Sequence, residues 1–139
     1  MPSRNSGDYG MSGSKYLLDT NAIIQLLRGN AELSDLLANA DFISTSIIAE
    51  MEYLSFSDLP ENDVTIFQIF KSRIKVYNVP SDDMIFTQLA VDARKKFKMK
   101  LPDAIIAATA RTNDLTILTA DDHFKPLTEP WQVQFYTPV

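Results

Sequence analysis

The stretch Tyr16-Leu17-Leu18-Asp19-Thr20-Asn21 constrains the fold more than any other part of the chain. A short apolar run ends in a carboxylate and two small polar residues, and Ala22-Ile23-Ile24-Gln25-Leu26-Leu27 follows with the spacing of a helix. An apolar run that opens at once into capping residues is a buried strand handing its carboxyl end to a helix amino end. It is therefore expected to be the central strand of a parallel sheet. Ligands of open α/β sheets sit outside the carboxyl ends of the strands, so Asp19 is expected to project into a crevice there.

The pattern recurs along the chain. Phe42-Ile43-Ser44-Thr45 suits a second strand, after which Ser46 can cap a helix reaching about Ser57. Residues 63–73 carry Val64, Ile66, Phe67, Ile69 and Phe70, the spacing of a helix with a wide buried stripe. Residues 74–79 alternate apolar and polar side chains up to Pro80, which predicts a short strand near the sheet edge. Ser81-Asp82-Asp83 starts another helix, with a basic end at Arg94-Lys95-Lys96-Phe97-Lys98 that complements the helix dipole. Pro102 is expected at the first position of the next helix, which runs to about Thr112, and strands follow at Leu115 to Thr119 and Gln132 to Tyr136. Strands alternating with helices predict a three-layer α/β/α sandwich around a parallel sheet. Residues 1–14, rich in Ser and Gly without apolar periodicity, are expected to be disordered, with Met11 as a second candidate start, and residues 15–139 to form one domain.

With no cysteine, disulfide and thiolate chemistry are excluded, and a reducing, cytoplasmic setting is the simplest expectation. No apolar run approaches the length of a membrane span. The net charge of −5 argues at face value against nucleic acid, because phosphate binding relies on Lys and Arg. Assigning four acids to metal ligands, however, leaves about −1 for the rest of the chain.

Those acids fall at element ends. Asp19 closes the first strand, and taken alone is an ordinary helix cap. Glu50 falls within the apolar stripe Ile47, Met51, Leu54, where a carboxylate is costly without a partner, whereas Glu52 is expected on the solvated face. Asp103 lies in the first turn of its helix in line with Ile106, Ala107 and Ala110. Asp121 follows its strand almost immediately and shares the edge of Asp19, with Asp122 turned to solvent. Carboxylates gathered in one crevice repel by about 4 kcal/mol per pair at 4 Å and an effective dielectric of 20, so a cation is needed. Oxygen donors select hard cations such as Mg²⁺ or Mn²⁺. Zinc is disfavoured because it prefers His and Cys ligands and the only histidine is His123, which is expected to be a loop residue.

The stretches Leu18-Asp19-Thr20-Asn21, Ile48-Ala49-Glu50, Asp103-Ala104-Ile105-Ile106-Ala107-Ala108-Thr109-Ala110 and Leu118-Thr119-Ala120-Asp121-Asp122-His123-Phe124 resemble the motif set of PIN domains, above all the VapC-type toxins of toxin–antitoxin pairs. The resemblance runs from about Lys15 to Tyr136. It implies a Mg²⁺- or Mn²⁺-dependent endoribonuclease with Asp19, Glu50, Asp103 and Asp121 as the metal-binding, catalytic set and Thr20, Asn21 and Thr119 as their polar neighbours. It further implies an RNA substrate cut to a 5′-phosphate and a 3′-hydroxyl, and together with the excess of apolar side chains in Met51-Glu52-Tyr53-Leu54-Ser55-Phe56 it leads to the expectation of a cognate antitoxin and a homodimer. Two positions depart from the pattern: Ala120 stands where many relatives carry Arg, and Lys98-Met99-Lys100 replaces a turn that commonly contains Gly. A PIN-like interaction module without catalysis is the alternative. An aspartate-nucleophile phosphatase is a poorer one, since the second acid it needs two residues after Asp19 is Asn21.

Overall fold

The computed structural model describes residues 14–139. The expected disorder of residues 1–14 and the role of Met11 lie, but for Ser14, outside them. Among the described residues five strands form one sheet: β1 (Lys15–Leu18), β2 (Phe42–Ser46), β3 (Lys75–Tyr77), β4 (Thr116–Thr119) and β5 (Val133–Phe135). Their order is β3-β2-β1-β4-β5, and every neighbouring pair is parallel. Parallel neighbours need crossovers, most of which are helical: α1 (Thr20–Leu27), α2 (Ala31–Ala38), α3 (Ile47–Leu54), α4 (Glu61–Lys71), α5 (Met84–Phe97) and α6 (Leu101–Thr112). This is the expected three-layer α/β/α sandwich.

The central strand is the one the sequence singled out. Leu17 and Leu18 on β1 and Leu118 on β4 are fully buried, as are Ile23 on α1 and Ala104, Ala107 and Ala108 on α6. Each large aliphatic side chain so buried contributes about 1.5–3 kcal/mol. β2 is polar yet buried, and the hydrogen bonds explain it: Ser44 donates to the Tyr16 carbonyl (2.8 Å) and Thr45 to that of Leu18 (2.7 Å). Asn30 caps α2 through Leu33 N–H (3.1 Å) and donates to the Thr137 carbonyl (3.0 Å), tying the carboxyl-terminal segment to α1 and α2.

Three expectations need correction. α3 ends at Leu54 instead of Ser57, and its buried residues are Ala49, Glu50 and Tyr53, while Met51 and Leu54 are exposed. The helix is thus rotated from the phase inferred from Ile47, Met51 and Leu54. On α4 only Phe67 is buried, with Ile66 and Ile69 exposed, because a helix packed on one side cannot cover so wide a stripe. α6 starts at Leu101, so Pro102 takes its second position. Between α5 and α6, Lys98 adopts a left-handed conformation (φ 59°) where the resembling family commonly uses Gly, and buried Met99 anchors the turn.

Candidate active site

Asp19 follows β1 directly and takes the cap position of α1, with Oδ1 accepting from the Ala22 N–H at 2.8 Å. Its other oxygen accepts from the Thr119 hydroxyl at the end of β4, the neighbouring strand. That hydroxyl also accepts from the Asp121 N–H at 2.9 Å, so both of its roles are fixed. Thr119 therefore links two of the acids at one strand edge. Asp121 caps a 3-10 turn over Asp122–Phe124, accepting from the His123 N–H at 2.9 Å and lying 3.0 Å from His123 Nδ1. Asp103 reaches the same place from the first turn of α6.

The fourth acid in this cleft of about 300 Å³ is Glu52. Its Oε1 accepts from the Thr20 hydroxyl at 2.5 Å, and with Asp19, Asp103, Asp121, Lys100 and His123 it lines the cavity. Glu50 is not among the residues lining this cleft: its Oε2 accepts from Lys71 Nζ on α4 at 2.9 Å, and its Oε1 is buried without a hydrogen-bond partner among the described residues. The assignment of Glu50 to the acidic cleft is therefore corrected to Glu52. Glu50 is buried, as its place among apolar residues implied, but its partner is a lysine on the neighbouring helix. His123, expected to be a bystander in a loop, borders the cleft. Asn21 and Thr20 line it as well, and Lys100 is its lysine.

The charges are crowded. Burial pushes the Asp19 carboxyl up to about 6, against the pull of the Thr119 and Ala22 hydrogen bonds and with help from the Asp121 and Asp103 charges. Asp103 is also raised, first by burial and then by Asp121 and Glu52, while His123 and Lys100 oppose the shift. Beside the cleft, the Tyr136 hydroxyl is buried without a hydrogen-bond partner among the described residues, and burial and the nearby Asp19 charge push it well above the usual phenol range. Sequence reasoning missed Tyr136, which sits one residue beyond β5 and next to Thr119 through a 3.1 Å backbone hydrogen bond.

The donor set suits a divalent cation. Asp103, Asp121 and His123 each offer a ligand atom, all within 4.8 Å of one another, and Asp19 and Glu52 line the same cavity. Two carboxylates and an imidazole make a mixed oxygen–nitrogen set, and with a single histidine and no cysteine in the chain the donors remain mainly carboxylate oxygen.

A parallel sheet that delivers several carboxylates to the mouth of one crevice is the architecture of an acidic-site α/β protein. The sequence model of the PIN domain family matches residues 16–129, and the chain belongs to that family. Among solved structures it is similar to a toxin–antitoxin complex from Klebsiella pneumoniae, at 27% identity and a TM-score of 0.70, covering 90% of this chain and 98% of that one. It is also similar in fold to VapBC2 from Rickettsia felis bound to a promoter DNA fragment (19%, TM-score 0.72, 88% and 98% covered). DNA-bound VapBC from Salmonella typhimurium gives 21%, 0.70 and the same coverage. No curated protein sequence matches.

Proposed function

We propose that this PIN-domain protein is a Mg²⁺- or Mn²⁺-dependent endoribonuclease and the toxin of a toxin–antitoxin pair. The observation that carries the reading is the convergence of Asp19, Glu52, Asp103 and Asp121 on one cleft. Family membership supports nuclease chemistry, and the toxin–antitoxin complex that the chain resembles at 27% identity supports the biological setting.

In this reading Asp103, Asp121 and His123 would hold the cation, with Asp19 and Glu52 lining the same cavity. A bound divalent cation would lower the pKa of a water and offset charge on the phosphate. The protein's share is positioning. Thr119 fixes Asp19, and the Thr20 hydroxyl fixes Glu52 as an acceptor for a proton leaving the attacking water. Lys100 brings a positive charge to a cleft that otherwise repels the substrate. Water oxygen bonds to phosphorus as the bond to O3′ breaks, and the departing O3′ takes a proton from solvent, leaving a 5′-phosphate and a 3′-hydroxyl.

A groove lined by Ile24, Leu27, Tyr53 and Leu59, with Arg28 and Asp63 at its edge, supports docking of an amphipathic antitoxin helix. Exposed Met84 and Ile85 on α5 support a homodimer. No helix among the described residues is long and apolar enough to cross a membrane, and a cytoplasmic location accords with the proposed RNA substrate. The test is cleavage of a labelled oligoribonucleotide panel with Mg²⁺ or Mn²⁺ and with chelator. Metal-dependent internal cuts are expected; chelator-insensitive cleavage, or none with either ion, would contradict the proposal.

A further inference from the structure

Phe56 follows α3 by two residues and is exposed. Three cavities meet at this one side chain: the acidic cleft, the apolar groove over Tyr53, and a third cavity bordered by Arg28, Gln25, Asn21 and Tyr136. Its ring is held in place. It meets Tyr53 edge-on (6.1 Å between centroids, 74°), and Tyr53 stacks on buried Phe67 (4.9 Å, 24°). An aromatic ladder thus runs from the core to an exposed ring beside the acids.

We propose that Phe56 is a stacking platform for an unpaired base of the nucleotide next to the scissile phosphate, which makes the substrate single-stranded at that point. This rests on the ribonuclease reading and adds how the strand is held. Charge and continuity favour a nucleotide. Lys100 borders the acidic cleft and Arg28 borders the cavity beyond Phe56, so phosphates on either side of the stacked base each have a cation, while the base covers an apolar ring. Gln25 and Asn21 in the same cavity offer amide groups to base or ribose edges. A flat ring accepts any base, because every base has a π-face.

The test uses an oligoribonucleotide that the wild-type protein cuts, the same strand annealed to its complement, and versions abasic on either side of the cut. Phe56→Ala is expected to raise KM roughly 5- to 150-fold, the range of base–aromatic stacking, with Phe56→Tyr restoring it and the melting temperature unchanged. An abasic nucleotide at the stacked position should cost wild type the same factor and the alanine variant nothing more. The annealed strand should be a poor substrate. Wild-type kinetics in Phe56→Ala, or equal further losses on the abasic strand, would overturn the inference and leave the ring to the protein-docking groove. Anisotropy of the labelled strand bound to Asp103→Asn protein, with and without Phe56→Ala, separates the two readings. Absence of cleavage with Phe56-dependent binding sinks only the ribonuclease, and cleavage without Phe56 dependence sinks only the stacking.

Discussion

Glu50 and Glu52 stand two residues apart on α3, roughly 200° around the helix, and belong to opposite environments. Glu50 faces the packed side, where Lys71 pairs with one oxygen and the other is enclosed. Glu52 faces the cleft, anchored by Thr20 and surrounded by other carboxylates. Burial marks an acid whose presence needs a reason, but the reason can be a neighbouring lysine. On α3 it is the half-buried Glu52, and not the enclosed Glu50, that opens onto the acidic cleft.

Substitutions on the two faces of α3 and in the cleft should separate along this line. The largest effect is expected for Asp103→Asn, which removes a donor from the cation-holding set. It should abolish the Mn²⁺-induced rise in melting temperature and lower cleavage by more than about 100-fold, the several kcal/mol a catalytic cation contributes. A variant that kept the thermal shift would move the cation elsewhere.

Next comes Asp19→Asn in metal-free buffer. The folded carboxyl titrates at about 6 against 3.8 unfolded, so the native state holds the proton more tightly. Its contribution to stability is fully present below about pH 4 and is lost as pH rises through 6; the raised Asp103 adds in the same direction. Asparagine keeps a capping oxygen and does not titrate. The variant should gain on the order of 2–3 kcal/mol over wild type by pH 7, measured by urea unfolding at pH 4 and 7. An advantage that does not grow with pH would contradict this.

Lys71→Met should cost about 1–3 kcal/mol of stability by stranding the enclosed Glu50 carboxylate, with cleavage at the permissive temperature unaffected. Smallest is Thr20→Val. Loss of the hydrogen bond that holds Glu52 is worth about 1 kcal/mol, a several-fold fall in kcat with unchanged melting.

Much of this was visible in the sequence. The run ending at Asp19, the strand ahead of Asp121 and the small-residue face of α6 behind Asp103 identify their own elements, because each signal is local. α3 was different. Eight residues hold barely two turns, and Met51, Leu54 and Phe56 are exposed although apolar. Hydrophobic periodicity then reports the sum of core and exposed surface, and the phase slips from Ala49, Glu50 and Tyr53 to the wrong face. That His123 borders the cleft and that the Tyr136 hydroxyl is enclosed beside it are not legible in the sequence, because the 3-10 turn carrying His123 and the residue just beyond β5 acquire their place only through β4. Lys98, in a left-handed turn, is a departure from glycine that the backbone accommodates and composition cannot announce.

The comparison is tested most directly by assaying Glu52→Gln and Glu50→Gln side by side on one oligoribonucleotide with saturating Mn²⁺. Glu52→Gln is expected to lose cleavage by about 100-fold or more with melting unchanged or raised, as general-base contributions run to 10²–10⁴. Glu50→Gln is expected to keep wild-type turnover and to change only in stability. Retained activity in Glu52→Gln, or its loss in a fully folded Glu50→Gln, would contradict the assignment of Glu52 to the active site.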